Sequence, residues 1–228
     1  MASVNYPPEP WSLRGQLRLA VWLVPVRDLP PLPPELEPAV RVVKLGRRAI
    51  VGAAWVQYEP GGVLHYNELL AAVLTRQGIR PRVTIVHIWV DSVESRDGGR
   101  ALWGIPKDLA RFEFHEARRN GIWRHSDGGG ARAETDEGPL GAATLTRGLR
   151  LPGRWPLGFT VVQSLHSRPK ASRVRATARL SLGRSRWTVP ADGPLHYLAG
   201  RRPLLTATAG DFRMLFGETD RVHTGAAA

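Results

Sequence analysis

The chain has 228 residues, 43% of them hydrophobic and 23% charged, with no cysteine and a formal net charge of +12. Zero cysteine excludes a disulfide scaffold, a thiolate zinc site and a cysteine nucleophile. Lys occurs only three times, at Lys44, Lys107 and Lys170, so 29 of the 32 basic side chains are Arg, and the charge reads as a compositional bias rather than a nucleic-acid footprint.

The start, Met1 to Trp11, has neither a basic nor an apolar leader segment, and no apolar run approaches the roughly 18 residues of a spanning helix. The expectation is a soluble cytoplasmic protein with no membrane contact. Nine of the 19 prolines fall in the first 40 residues. They predict an extended arm over 1–16 and a rigid connector over 30–38, because a residue before Pro avoids the helical region. Strands are predicted at 17–24, 39–45, 49–58, 68–75 and 83–91. The last, VTIVHIWVD, is apolar on both faces apart from Thr84 and His87, as in a strand covered on both sides. A helix follows, capped by Asp91-Ser92, with Gly98-Gly99 as a weak point.

From Ala110 onward short strands recur at 111–115, 121–125, 131–135, 141–146, 158–165 and 171–182. Asn120-Gly121 and Asp127-Gly128 are hairpin signals. In the stretch 171–182, Arg173, Arg175 and Arg179 alternate with Val174, Ala176 and Ala178. Period two describes a half-buried strand with Arg on its wet face. Residues 211–216 read as a short helix and 224–228 as a disordered tail. The pattern is α+β, mostly antiparallel β, a single domain over 1–228 with one or two short helices. Seven His show no metal-binding spacing, and no metal or cofactor is indicated.

One side chain invites chemistry. Lys107 sits among Trp103, Ile105 and Leu109 in a chain that uses Arg for nearly every other cation. Lys can lose its proton and attack a carbonyl, whereas Arg cannot. Desolvation by those neighbours predicts an amine pKa well below the ordinary value of about 10.4. Glu68, followed by apolar residues in Tyr66-Asn67-Glu68-Leu69-Leu70, is the candidate proton shuttle. The plain alternative for both is a solvated surface charge.

At Gly99-Arg100-Ala101-Leu102-Trp103-Gly104-Ile105-Pro106-Lys107, with Tyr66-Asn67-Glu68 thirty-nine positions before the lysine and Val90-Asp91-Ser92 between, the sequence resembles the acetoacetate decarboxylase-like family. Weaker likeness lies in Tyr6-Pro7-Pro8-Glu9-Pro10-Trp11 and in residues 212–217. The resemblance implies a β-barrel or cone with surrounding sheet, usually in a homo-oligomer. It implies Lys107 as the Schiff-base lysine and Glu68 as a pocket glutamate, with Tyr66, Trp103 and Ile105 around a keto acid or ketone. The family is itself the standing example of an activated lysine. Three departures stand out. Asp108 occupies the place of the family's second lysine, a further family glutamate falls on Ala53, and its N-terminal arginine falls near Gly15 and Gln16, out of register with Arg14 and Arg18. Three readings follow: a Schiff-base lyase doing decarboxylation or related aldol and dehydration chemistry, a non-catalytic small-molecule-binding member of the fold, and, from charge alone, a nucleic-acid binder.

Overall fold

The computed structural model describes residues 5–115 and 129–218. Its strands are β1 (Trp11–Pro25), β2 (Arg41–Val42), β3 (Lys44–Leu45), β4 (Arg48–Tyr58), β5 (Tyr66–Gln77) and β6 (Arg80–Val90). Helix α1 (Val93–Trp103) precedes β7 (Lys107–Leu109), β8 (Arg111–His115), β9 (Gly129–Thr135) and β10 (Gly138–Arg150). The chain then forms β11 (Trp155–Leu165), β12 (Arg168–Thr188) and β13 (Leu205–Glu218).

Neighbouring strands run β11-β6-β5-β4-β1-β13-β12, and β12 pairs back to β11, so the sheet returns on itself as a ring. Strands β10, β9 and β8 continue from β12 as an outer layer. Pairing is antiparallel except where β6 meets β11 and β7. The 21 residues of β12 serve both parts. Its first half pairs with β11 and its second half with β10.

Period-two alternation sorts the side chains between two layers. Trp22 on β1, Trp55 on β4 and Leu69 on β5 enter a core shared with the outer layer, together with Leu140, Leu145 and Tyr197. The opposite faces of the same strands supply Leu13, Val56 and Tyr66 to two inner clusters, the first and last around the lysine, the second farther along the ring with Phe212. Strand β6 is covered on both sides as its sequence predicts: Ile88 and Val90 lie in one inner cluster and Trp89 in the outer core.

The strand from Trp11 makes the extended arm shorter than predicted, ending at Pro10 rather than 16. Trp11 and Leu13 are buried while Ser12 and Arg14 are exposed, so the ladder reaches further than the apolar run Leu17–Val24 suggested. Residues 211–216 are strand, not helix. Phe212, Met214 and Phe216 alternate inward, and the positive φ of Asp211 marks an irregularity in the β12–β13 register. The predicted strand 121–125, both hairpin signals and the tail 224–228 lie outside the described residues. In β12, Val174 and Ala178 are fully buried and Arg175 and Arg179 exposed, which is the wet Arg face expected from period two. No described helix is long and apolar enough to cross a membrane.

Candidate active site

Lys107 enters the site from two directions. Helix α1 begins at Ser92, whose Oγ accepts from the Ser95 amide at 3.0 Å, a conventional N-cap. It ends at Gly104 in the left-handed region, φ 67°, where a Cβ would lie 2.1 Å from the Ser164 carbonyl oxygen. Only glycine fits that approach. Three residues later β7 pairs Lys107 with Ile88 of β6. The lysine is thereby fixed by a helix on one side and a sheet on the other.

Gly98 and Gly99, read from sequence as a weak point, are instead clearances. A Cβ on Gly98 would sit 2.5 Å from the Trp11 ring, and one on Gly99 2.7 Å from Lys107 Cδ. The helix tolerates their poor intrinsic propensity because tertiary packing decides its stability.

The Lys107 side chain is 5% exposed and that of Glu68 3%. Nζ donates to Glu68 Oε2 at 3.1 Å, to Ser95 Oγ at 2.9 Å and to Tyr66 Oη at 3.3 Å. An ammonium has three donors, and these acceptors use all of them. The Tyr66 ring lies 5.0 Å from Nζ and the Trp11 ring 6.0 Å, within cation–π range. On the far side Tyr58 Oη donates to Glu68 Oε1 at 3.2 Å. The paired register Val56–Glu68 and Tyr58–Tyr66 places that tyrosine beside the carboxylate.

Burial pulls the Lys107 amine down, but Tyr66 and the Glu68 carboxylate more than offset it, and the amine stands above its ordinary value. This corrects the expectation of a depressed amine: desolvation acts as foreseen, yet an opposite charge at hydrogen-bond distance favours the ammonium more strongly. The Tyr66 hydroxyl is raised by burial, with Lys107 pulling the other way. Burial, then Glu68, also raises Tyr58 well above its ordinary value, so both phenols are neutral donors or acceptors near neutrality.

Asp108 faces away from Lys107, as alternation along a strand predicts. It is exposed and ion-paired with Arg100. Ala53 is buried in the outer core with Ala71, on the face of β4 opposite Glu68's contacts. Gly15 occupies an irregularity in β1 where a Cβ would meet the Gln57 carbonyl oxygen at 2.0 Å, so no side chain is possible there. Arg18 lies on the outer face, bonded to Gln57 and 5.8 Å over Phe114. Arg14 is exposed beside Gly61.

The structure therefore brings Lys107, Glu68 and Tyr66 together. Trp103 and Ile105 belong to the surrounding apolar wall: Trp103 is 1% exposed, packs edge-on to Trp11 at 4.8 Å and donates Nε1 to Glu9. Ser95, Tyr58 and Trp11 are site residues that the sequence reading missed. Ser95 was readable as the third residue after the cap. Tyr58 becomes visible only through strand register.

The acetoacetate decarboxylase (ADC) family matches residues 26–189 of this chain. A search of curated proteins finds no match. Among solved structures, an acetoacetate decarboxylase from Legionella pneumophila subsp. pneumophila is similar with a TM-score of 0.64 and 15% identity, covering 94% of this chain and 88% of its own. The enduracididine biosynthesis enzyme MppR, in complex with pyruvate, gives 0.62 and 18%, covering 94% and 90%. An acetoacetate decarboxylase-like enzyme from Sphingomonas wittichii RW1 gives 0.61 and 14%, covering 93% and 92%. At such identities the likeness is one of fold, whereas the family match spans well over half the sequence. Ring, helix and buried lysine thus sit in a chain that belongs to the acetoacetate decarboxylase family.

Proposed function

We propose that this protein is a Schiff-base-forming lyase acting on a keto acid or ketone, by β-keto acid decarboxylation or by related aldol and dehydration chemistry. The observation that carries the reading is the buried Lys107 amine 3.1 Å from the Glu68 carboxylate. Within such a pair the proton can pass from Nζ to Oε2 without changing the net charge, which yields the neutral amine even though the pair as a whole stays protonated. The free electron pair on nitrogen attacks the carbonyl carbon. Glu68 returns its proton to the resulting alkoxide and then assists loss of water, which leaves an iminium. With a β-keto acid, the electrons of the bond to the carboxylate flow into the iminium, carbon dioxide departs, and an enamine remains. Protonation at carbon and hydrolysis release the ketone and restore the amine. Tyr66 and Ser95 orient Nζ and accept its protons in the resting state.

Borohydride trapping with acetoacetate and with pyruvate tests this. A reduced adduct on the peptide containing Lys107, abolished in Lys107→Ala, is the expected result. Equal trapping in Lys107→Ala overturns it. A second reading, a non-catalytic binder on the same fold, is favoured by one observation: every proton of the ammonium is already engaged. Saturable binding of acetoacetate with no adduct at Lys107 selects that reading.

A further inference from the structure

His87 interrupts the otherwise apolar strand β6, and the lysine chemistry does not use it. Its neighbour Ile88 faces the inner cluster and pairs with Lys107, so His87 projects to the other side of the sheet. There it is clamped. Its ring lies parallel to Trp89 (3°, 5.7 Å) and near-parallel to Tyr197 (25°, 5.7 Å). Nδ1 is 3.0 Å from Tyr197 Oη. Tyr197 is 1% exposed, and burial raises its hydroxyl, so it keeps its proton. When that hydroxyl donates to Nδ1, the neutral imidazole carries its own proton on Nε2 and offers an N–H donor there. Burial, and then His196, lower the His87 pKa, which keeps this neutral donor form near neutrality.

The ring forms one wall of a pocket of about 660 Å³. Pro30, Pro31 and Pro194 stiffen the opposing walls. Arg201 ties the two loops together: Nε donates to the Tyr197 carbonyl at 3.0 Å and Nη2 to Asp28 at 2.7 Å. Asp28 is committed to Arg201 and reaches Arg27 only at 3.5 Å. The Arg27 guanidinium, 84% exposed, shares Asp28 with Arg201 through its Nε at 3.5 Å and leaves its remaining N–H groups to solvent. Two arginines against one aspartate give the pocket a net positive charge, with the clamped His87 ring beside it. The pocket opens widely to solvent, its volume falls in the range of small-molecule sites, and Arg201 ties its rims together before any ligand arrives, which lowers the entropy cost of binding.

We propose that this pocket binds a small molecule carrying an anionic oxygen group, a carboxylate or a phosphate, through Arg27 and His87, separately from the Lys107 site. Guanidinium and neutral imidazole donors both suit such oxygens. The two sites lie back to back across β6.

The test titrates the full chain with benzoate in one arm and inorganic phosphate in the other, by calorimetry and by ¹⁵N NMR of the histidine rings. At least one probe is expected to bind saturably and to move the His87 ring signals. Arg27→Ala should weaken that binding about tenfold or more, as loss of a charge-assisted bond does. Arg80→Ala, which removes the same charge from the exposed start of β6, should leave it within about twofold, as distant independent sites do. Which arm binds decides between carboxylate and phosphate. The proposal fails if neither probe shifts His87 or if Arg80→Ala weakens binding as much as Arg27→Ala. The second result would reveal only the field of a basic protein.

Discussion

Replacing Glu68 by Gln tests the ion pair that holds the site. The substitution keeps shape and removes charge, so the Lys107 ammonium is left buried without its counter-ion. Breaking a buried pair from one side costs roughly 3–5 kcal/mol. Here the cost has a ceiling, because the amine can shed its proton on folding. Taking the proton from an amine whose unfolded pKa is about 10.4 costs about 4.6 kcal/mol at pH 7 and about 1.9 kcal/mol at pH 9. The wild-type amine has the opposite sign. Its folded value is raised, so its contribution is fully present below the unfolded pKa and is lost only as pH rises through the folded one. Urea unfolding of both proteins at pH 7 and pH 9 should therefore show a deficit of about 4 kcal/mol for Glu68→Gln that falls by more than half between the two. Should the variant not fold at pH 7, the double variant Glu68→Gln/Lys107→Met should recover stability relative to it. A deficit independent of pH, or a double variant less stable than the single, refutes the reasoning.

Gly99→Ala should slow borohydride trapping on Lys107 at least about tenfold and cost about 1–3 kcal/mol, since the new Cβ would lie 2.7 Å from Lys107 Cδ; the trapping rate and a denaturation midpoint check both. Ser95→Ala removes one acceptor of the amine and should cost about 1–3 kcal/mol in urea unfolding while leaving the helix cap, which uses the Ser95 backbone amide, in place by circular dichroism. Tyr58→Phe removes the donor to Glu68 Oε1 and should cost about 1 kcal/mol, read from urea unfolding. Ser92→Ala should cost about 1 kcal/mol through loss of the N-cap, read as a lower Tm with trapping unchanged.

Much of this fold was legible because alternation is a strong signal. The strand predicted over 49–58 differs from β4 by one residue, and the wet Arg face of β12 followed directly from its period. Lys107 stood out by scarcity and by its apolar neighbours, in a chain where 29 of the 32 basic side chains are Arg. What escaped depends on partners distant in sequence. Ser95 was readable from its place three residues after the cap, but Tyr58 and Trp11 reach the site only through strand register and the packing of Trp11 on Gly98. The pKa direction escaped for the same reason: apolar neighbours are written beside Lys107, but the acceptors of its protons lie 12, 39 and 41 residues away. Residues 211–216 misled because six residues centred on Phe212 and Phe216 satisfy a spacing of four as well as a spacing of two.

Strand β12 runs from the ring, where Val174 packs near the lysine, to the outer layer, where Trp187 meets Trp22 and Trp55. One unbroken stretch of backbone thus splices the wall around the buried amine to the outer layer. Deuterium uptake along 168–188 should accordingly rise and fall in concert, because peeling its distal end loosens the wall behind the amine before any other segment has to move.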